Sequence, residues 1–157
     1  MLFRLAPESL VLLIPVLLFA VVFHEFSHAW VANKLGDPTA RYAGRLTLNP
    51  IAHLDPIGGL MILFVGFGWA KPVPVNPINF SNPRMDMIKV AFAGPASNLL
   101  LAFTGGLIFR LINISQILIS SELIQILYLF LYINIALAVF NMLPVAPLDG
   151  SQIFGNL

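Results

Sequence analysis

Cysteine is missing altogether, and charge is scarce: 10% of the 157 residues are Asp, Glu, Lys or Arg. The first absence removes disulfides, thiolate nucleophiles and thiolate metal sites. The second removes the polar coat that a water-soluble domain of this size carries. Net charge is +1, too nearly balanced to imply nucleic acid, which is not expected as a partner. Repeats, low-complexity tracts and a soluble second domain are absent too, so residues 1–157 are expected to form one membrane-embedded domain. What fills the chain is apolar: 59% of residues, with a mean hydropathy of +0.91. Lipid is its main solvent.

Crossing a bilayer takes about 20 apolar residues, and three stretches qualify. The first runs from about Glu8 to Asn33. Arg4 and the apolar run 10–23 imitate a signal peptide, but no small-residue cleavage site follows, so a retained helix is expected. The second contains the uncharged run Val90 to Phe109, and the third lies between Glu122 and Asp149. The fold class expected is therefore membrane all-α, with three core transmembrane helices. Pro56 to Ala70, short and glycine-rich (Gly58, Gly59, Gly66, Gly68), is expected to be re-entrant or interfacial. Tyr42 to Asn49 alternates briefly and suggests a strand. Ala70 to Phe80 is extended by prolines, and Pro72 and Pro74 strip donors from one edge, which predicts an edge strand. A small β-hairpin or sheet between the first and second helices is thus part of the expectation.

Six of the eight basic residues (Lys34, Arg41, Arg45, Lys71, Arg84, Lys89) lie between the first two spans. The positive-inside rule puts that loop in the cytoplasm and the N-terminus outside. Counting crossings from there brings His24, His28 and Asp149 to the same, cytoplasmic, side.

His24-Glu25-Phe26-Ser27-His28 is an H-E-x-x-H pentamer. Helical positions four apart share a face, so both imidazoles can bind one zinc ion, and Glu25 can serve as the general base toward water. Inside an apolar helix these three groups cost several kcal/mol unless they are paired or bind metal. A third ligand is needed. Glu122 falls on the wrong side, while Asp37, Asp55 and Asp86 have solvated alternatives as turn or capping residues. Asp149 follows two prolines, Pro144 and Pro147, that break the last helix. Backbone groups freed within a membrane need a polar cavity, which is where a catalytic metal belongs. A plain helix-end carboxylate is the competing reading of Asp149.

Asn98 and Asn141, polar groups in apolar helices, are candidates for oxyanion donation or for holding a substrate backbone; bonding between helices competes equally. Ala91, Ala93, Gly94, Ala96 and Ser97 form a small-residue face expected to pack closely on the His24 helix. His53 is a candidate auxiliary acid or gate, against the commoner role of a surface loop histidine held by turn bonds.

HEFSH in a first core helix, with NMLPVAPLDG (141–150) at the end of a later one, resembles the site-2 protease family of intramembrane zinc metalloproteases. GPASN (94–98) looks like that family's G-P-x-x-N element. The resemblance covers nearly the whole chain. It implies one zinc ion held by His24, His28 and Asp149, with Glu25 activating water to cut a peptide bond in a transmembrane protein substrate. It also places Asn141 near the site and implies an integral protein of a prokaryotic cell membrane. Residues 1–157 hold no PDZ-like or nucleotide-sensing segment, so the resemblance leads us to expect a short form. The chain ends eight residues after Asp149, where members continue, which implies truncation at the C-terminus. Two rival classes stay open: a non-catalytic zinc-binding membrane protein, which has no need of Glu25, and a metal transporter, which needs polar groups along a continuous route.

Overall fold

A computed structural model describes residues 7–65 and 68–156. Its long elements are three apolar helices: α1 (Pro7–Lys34), α5 (Pro83–Ile114) and α6 (Ser121–Asn141). Each is long and apolar enough to cross a membrane. At 1.5 Å per residue, α6 is about 32 Å long, matching the hydrocarbon thickness, and α5 at about 48 Å projects beyond it. Shorter helices are α2 (Thr39–Tyr42), α3 (Pro50–His53), α4 (Pro56–Val65) and α7 (Asp149–Asn156).

Helix boundaries follow local chemistry. The Asn82 side chain accepts from Met85 N–H at 3.2 Å with Pro83 at the first helical position, and Asp86 accepts the Asn82 N–H at 3.1 Å. That reciprocal cap starts α5. Ser120 caps α6 through Leu123 N–H. α6 stops at Asn141, three residues before Pro144, because proline can neither donate nor accept an α-helical predecessor.

α5 is the central element and packs on α1, α6 and α7. Small residues allow this: Ala20, Ala29 and Ala32 of α1 and Ala91, Gly94, Ser97, Ala102 and Gly105 of α5 are buried. With lipid outside, close backbone approach rather than water exclusion holds such helices together. A cluster of Val16, Ala20 and Ile133 with Leu13, Leu17, Phe130 and Leu137 joins α1 to α6. Large apolar side chains such as Phe103, Leu111 and Val139 face outward, as a lipid-facing surface allows.

The expected β-hairpin is not found. Among the described residues there is no strand, only an isolated antiparallel bridge between Leu54 and Ala70. Tyr42 to Asn49 folds otherwise because Gly44 takes φ +68° and ends α2. Arg45 N–H bonds Ala40 O at 2.8 Å and Gly44 N–H bonds Arg41 O at 3.0 Å, the paired closure of a Schellman cap. Asn49 then caps α3, accepting from Ile51 N–H at 3.1 Å. Lys71 N–H bonds His53 O, the ladder bond of the Leu54–Ala70 bridge, but beyond it the donors turn to side chains: Val73 N–H reaches Glu25 Oε2 and Asn76 N–H reaches Asp37 Oδ2. Pro77–Asn79 is a 3-10 turn. In the glycine-rich stretch, Asp55 caps α4 at Ile57 and Gly58, and Leu54–Ala70 closes its base. Gly66 lies outside the described residues.

Candidate metal centre

His24 and His28 lie one turn apart on α1 with ring centroids 4.7 Å apart, both buried against α5. Asp149, in the first turn of α7, arrives from 121 positions further along the chain than His28 and completes the cluster. Its Oδ2 stands 3.1 Å from His24 Nε2 and 3.3 Å from His28 Nε2. All three ligand atoms lie within 4.8 Å of one another. Ligands bound to zinc at about 2.0–2.1 Å in a tetrahedral array stand about 3.3 Å apart, so the spacing suits that ion.

Proton placement agrees. His28 Nδ1–H donates to Val90 O at 2.7 Å, an oxygen that can only accept. His24 Nδ1 lies 2.6 Å from Asn98 Oδ1. In neutral rings with protonated Nδ1 atoms, both Nε2 atoms present lone pairs. Lone pairs facing a carboxylate oxygen repel unless a cation lies among them. Two imidazoles and a carboxylate form a zinc-hydrolase donor set, and the Asp149 side chain keeps 21% of its exposure, leaving an approach for a fourth ligand.

Gly94 makes the cluster sterically feasible. A Cβ there would come within 2.5 Å of His24 Nε2 and Cε1 and would also strike His28 Nε2. The small-residue face thus meets the Nε2 edges of both rings, beyond the packing role its sequence suggests. Gly150 plays a similar part for α7, where a side chain would strike the Met142 and Leu143 backbone.

The other sequence candidates fall in different places. Glu25 is half-buried beside the cluster, its Oε2 accepting from Val73 N–H at 3.2 Å. Asn98 is fully buried behind His24, and its Nδ2 donates to Ala20 O and to Asn134 Oδ1. Asn141 turns back on its own helix, donating to Leu137 O at 2.9 Å. His53 ends α3 instead of lying in a loop and is buried rather than at the surface; its Nε2–H donates to Thr47 O at 2.8 Å. Asp55 and Asp86 are caps and Asp37 makes a turn bond to Thr39 N–H, as expected, but Asp37 and Asp86 are buried rather than solvated, and Asp37 is an anchor besides. It accepts from Thr39, Asn76 and Asn79. Burial pushes its carboxyl upward, but those hydrogen bonds outweigh it and hold the group below its ordinary value. Sequence reasoning missed Asn134, fully buried in α6. The cost of an amide in an apolar helix, which singles out Asn98 and Asn141, applies to it equally.

Comparison with known proteins identifies the chain's relatives. The family model described as Peptidase family M50 matches residues 105–157. The chain is 45% identical over 149 residues to a Bacillus subtilis protein named "Putative zinc metalloprotease YwhC", covering 92% of this chain and 68% of that one. It is 31% identical over 139 residues to "Putative zinc metalloprotease Rip2" of Mycolicibacterium smegmatis, covering 85% of this chain and 52% of that protein. "Putative zinc metalloprotease MJ0611" of Methanocaldococcus jannaschii is 30% identical over 135 residues, covering 84% of this chain and 63% of that protein. No solved structure matches the chain significantly. Helices that can span a membrane, a zinc-spaced His-His-Asp cluster and these relatives together place the chain in peptidase family M50, the site-2 protease family of zinc metalloproteases.

Proposed function

We propose that this protein hydrolyses a peptide bond in or near a transmembrane segment of a membrane protein, with His24, His28 and Asp149 as the zinc ligands and Glu25 as the catalytic base. The observation that carries the reading is the convergence of two Nε2 lone pairs and one carboxylate oxygen at tetrahedral spacing, one residue from a glutamate. A zinc ion bound there supplies Lewis acidity, acidifying water and polarising a carbonyl. The chain's own residues do the rest. Val73 N–H fixes Glu25 Oε2, which leaves Oε1 to take a proton from the attacking water and return it to the leaving amine. Burial of both histidines keeps bulk water from competing at Nε2.

The site faces the cytoplasm on this reading, because six of the eight basic residues fall between the last turn of α1 (Lys34) and the first two turns of α5 (Arg84, Lys89). On the same reading the glycine-rich stretch Pro56 to Ala70, whose base closes through the Leu54–Ala70 bridge, is re-entrant or interfacial rather than a crossing. A lipid bilayer surrounds α1, α5 and α6, and the substrate enters from it.

Incubating the purified full-length protein with a candidate transmembrane substrate, native against Glu25→Gln, tests this. Cleavage lost with zinc retained supports the protease. Cleavage persisting in Glu25→Gln removes Glu25 from the chemistry, and zinc binding without cleavage by the native protein favours a non-catalytic metal protein.

A further inference from the structure

We propose that Asn134 is a positioning residue for the zinc site, acting through Asn98 to fix which nitrogen of His24 is free to bind metal. This rests on His24 being a zinc ligand. The inference comes from the polarity of a hydrogen-bond chain that crosses all three long helices.

The chain begins at Phe130 O on α6, a carbonyl that can only accept. Asn134 Nδ2 donates to it at 2.8 Å, which turns Asn134 Oδ1 toward α5. There it accepts from Asn98 Nδ2 at 2.9 Å. The same Nδ2 donates its second hydrogen to Ala20 O on α1 at 3.3 Å. Two acceptor-only partners settle the orientation of the Asn98 amide, since its flipped form would set oxygen against oxygen twice. Asn98 Oδ1 is thereby aimed at His24 Nδ1, 2.6 Å away, and accepts its proton. His24 then has one available lone pair, on Nε2, the atom 3.1 Å from Asp149.

Both asparagines are fully buried, so water cannot substitute for a lost partner. Ala20 O alone holds Asn98 less well, because its bond is the longer of the two. Removing the Asn134 acceptor frees the Asn98 amide to rotate, and His24 loses the fixed partner that orients its ring and sets its tautomer. Partners behind a metal-binding histidine typically affect metal affinity about 10- to 100-fold; one bond further back, the lower end of that range is expected.

The test is zinc affinity of the full-length protein in detergent micelles, by competition with a chromophoric chelator, together with the visible spectrum of the cobalt-substituted form. Asn134→Leu, with the same number of side-chain heavy atoms and the same branching but no acceptor, is expected to bind zinc about tenfold more weakly and to alter the cobalt bands. Asn134→Asp in its neutral acid form keeps a donor for Phe130 O and an oxygen for Asn98 Nδ2, and is expected to restore affinity and spectrum toward native. A purely structural role predicts lower thermal stability in both variants with unchanged affinity and spectrum, and that result overturns the proposal. Should Asn134→Leu not fold, Asn134→Ser replaces it; its short hydroxyl bonds Phe130 O but does not reach Asn98, and the same two outcomes apply. His24→Ala run alongside separates the cases. Unchanged zinc binding there refutes the ligand assignment itself, whereas a loss there with native binding in Asn134→Leu refutes only the relay.

Discussion

Replacing Gly94 with alanine adds one methyl group against the metal-facing edges of His24 and His28. The new Cβ would lie 2.5 Å from two atoms of the His24 ring, where ordinary contacts begin near about 3.5 Å. The rings must therefore retreat by about 1 Å, and metal–ligand distances tolerate only about 0.2 Å. Relief by backbone movement is limited, because α1 and α5 meet through fully buried alanines. Overpacking of this kind costs about 1–3 kcal/mol. Charged wholly to the bound state, that weakens zinc affinity about 5- to 150-fold, since about 1.4 kcal/mol is tenfold. Glycine to alanine within a helix otherwise stabilises by about 0.5–1 kcal/mol, so the apoprotein's helices gain while metal is lost. Gly106→Ala is the control: on the same helix its Cβ meets only Leu131 Cδ2, at an ordinary 3.7 Å. Zinc affinity by chelator competition and helix melting by circular dichroism read the two effects. Native zinc affinity in Gly94→Ala refutes the steric argument.

Val73→Pro removes the N–H held by Glu25 Oε2 and is expected to reduce kcat about 10-fold or more while leaving zinc affinity native; equal loss of both indicates a collapsed loop instead. Asp37→Asn replaces one of its acceptor oxygens with a donor, setting Asn76 N–H against an amide or leaving Asn79 short of a partner, at a cost of about 1–3 kcal/mol. The pH dependence has a definite sign. A folded-state value held below the unfolded one of about 3.9 gives stability that is complete above that value and lost as pH falls through the folded value. Native protein should lose thermal stability on acidification below about pH 4, with a shallower loss in Asp37→Asn; parallel curves would count against the anchor.

Sequence periodicity exposed what a single helix decides. His24 and His28 share a face because they are four apart, and Pro144 marks the end of α6 because proline cannot continue a helix. Asp149 could be joined to them because topology brings helix ends to common levels. Partners across helices were less visible. Nothing in the sequence around Gly94 states that two rings lie against it, and Asn134 resembles any polar interruption until Asn98 is seen opposite. The loop was misread for a definite reason. Alternating Val and Pro at 72–75 imitates an edge strand, yet pairing stops at the Leu54–Ala70 bridge, and the Val73 and Asn76 N–H groups bond the Glu25 and Asp37 side chains. The alternation of Tyr42 to Asn49 suggests a strand, whereas the positive φ of Gly44 within it closes α2. Asp37 looked like a solvated turn residue because its four donors come from segments up to 42 positions away.

X-ray absorption at the zinc edge of the purified full-length protein tests the central claim most directly. The account predicts one zinc per chain with two imidazole nitrogens at about 2.0–2.1 Å and a carboxylate oxygen at about 2.0–2.2 Å, the oxygen shell altered in Asp149→Ala. A zinc shell without imidazole scattering, or one unchanged by Asp149→Ala, contradicts it.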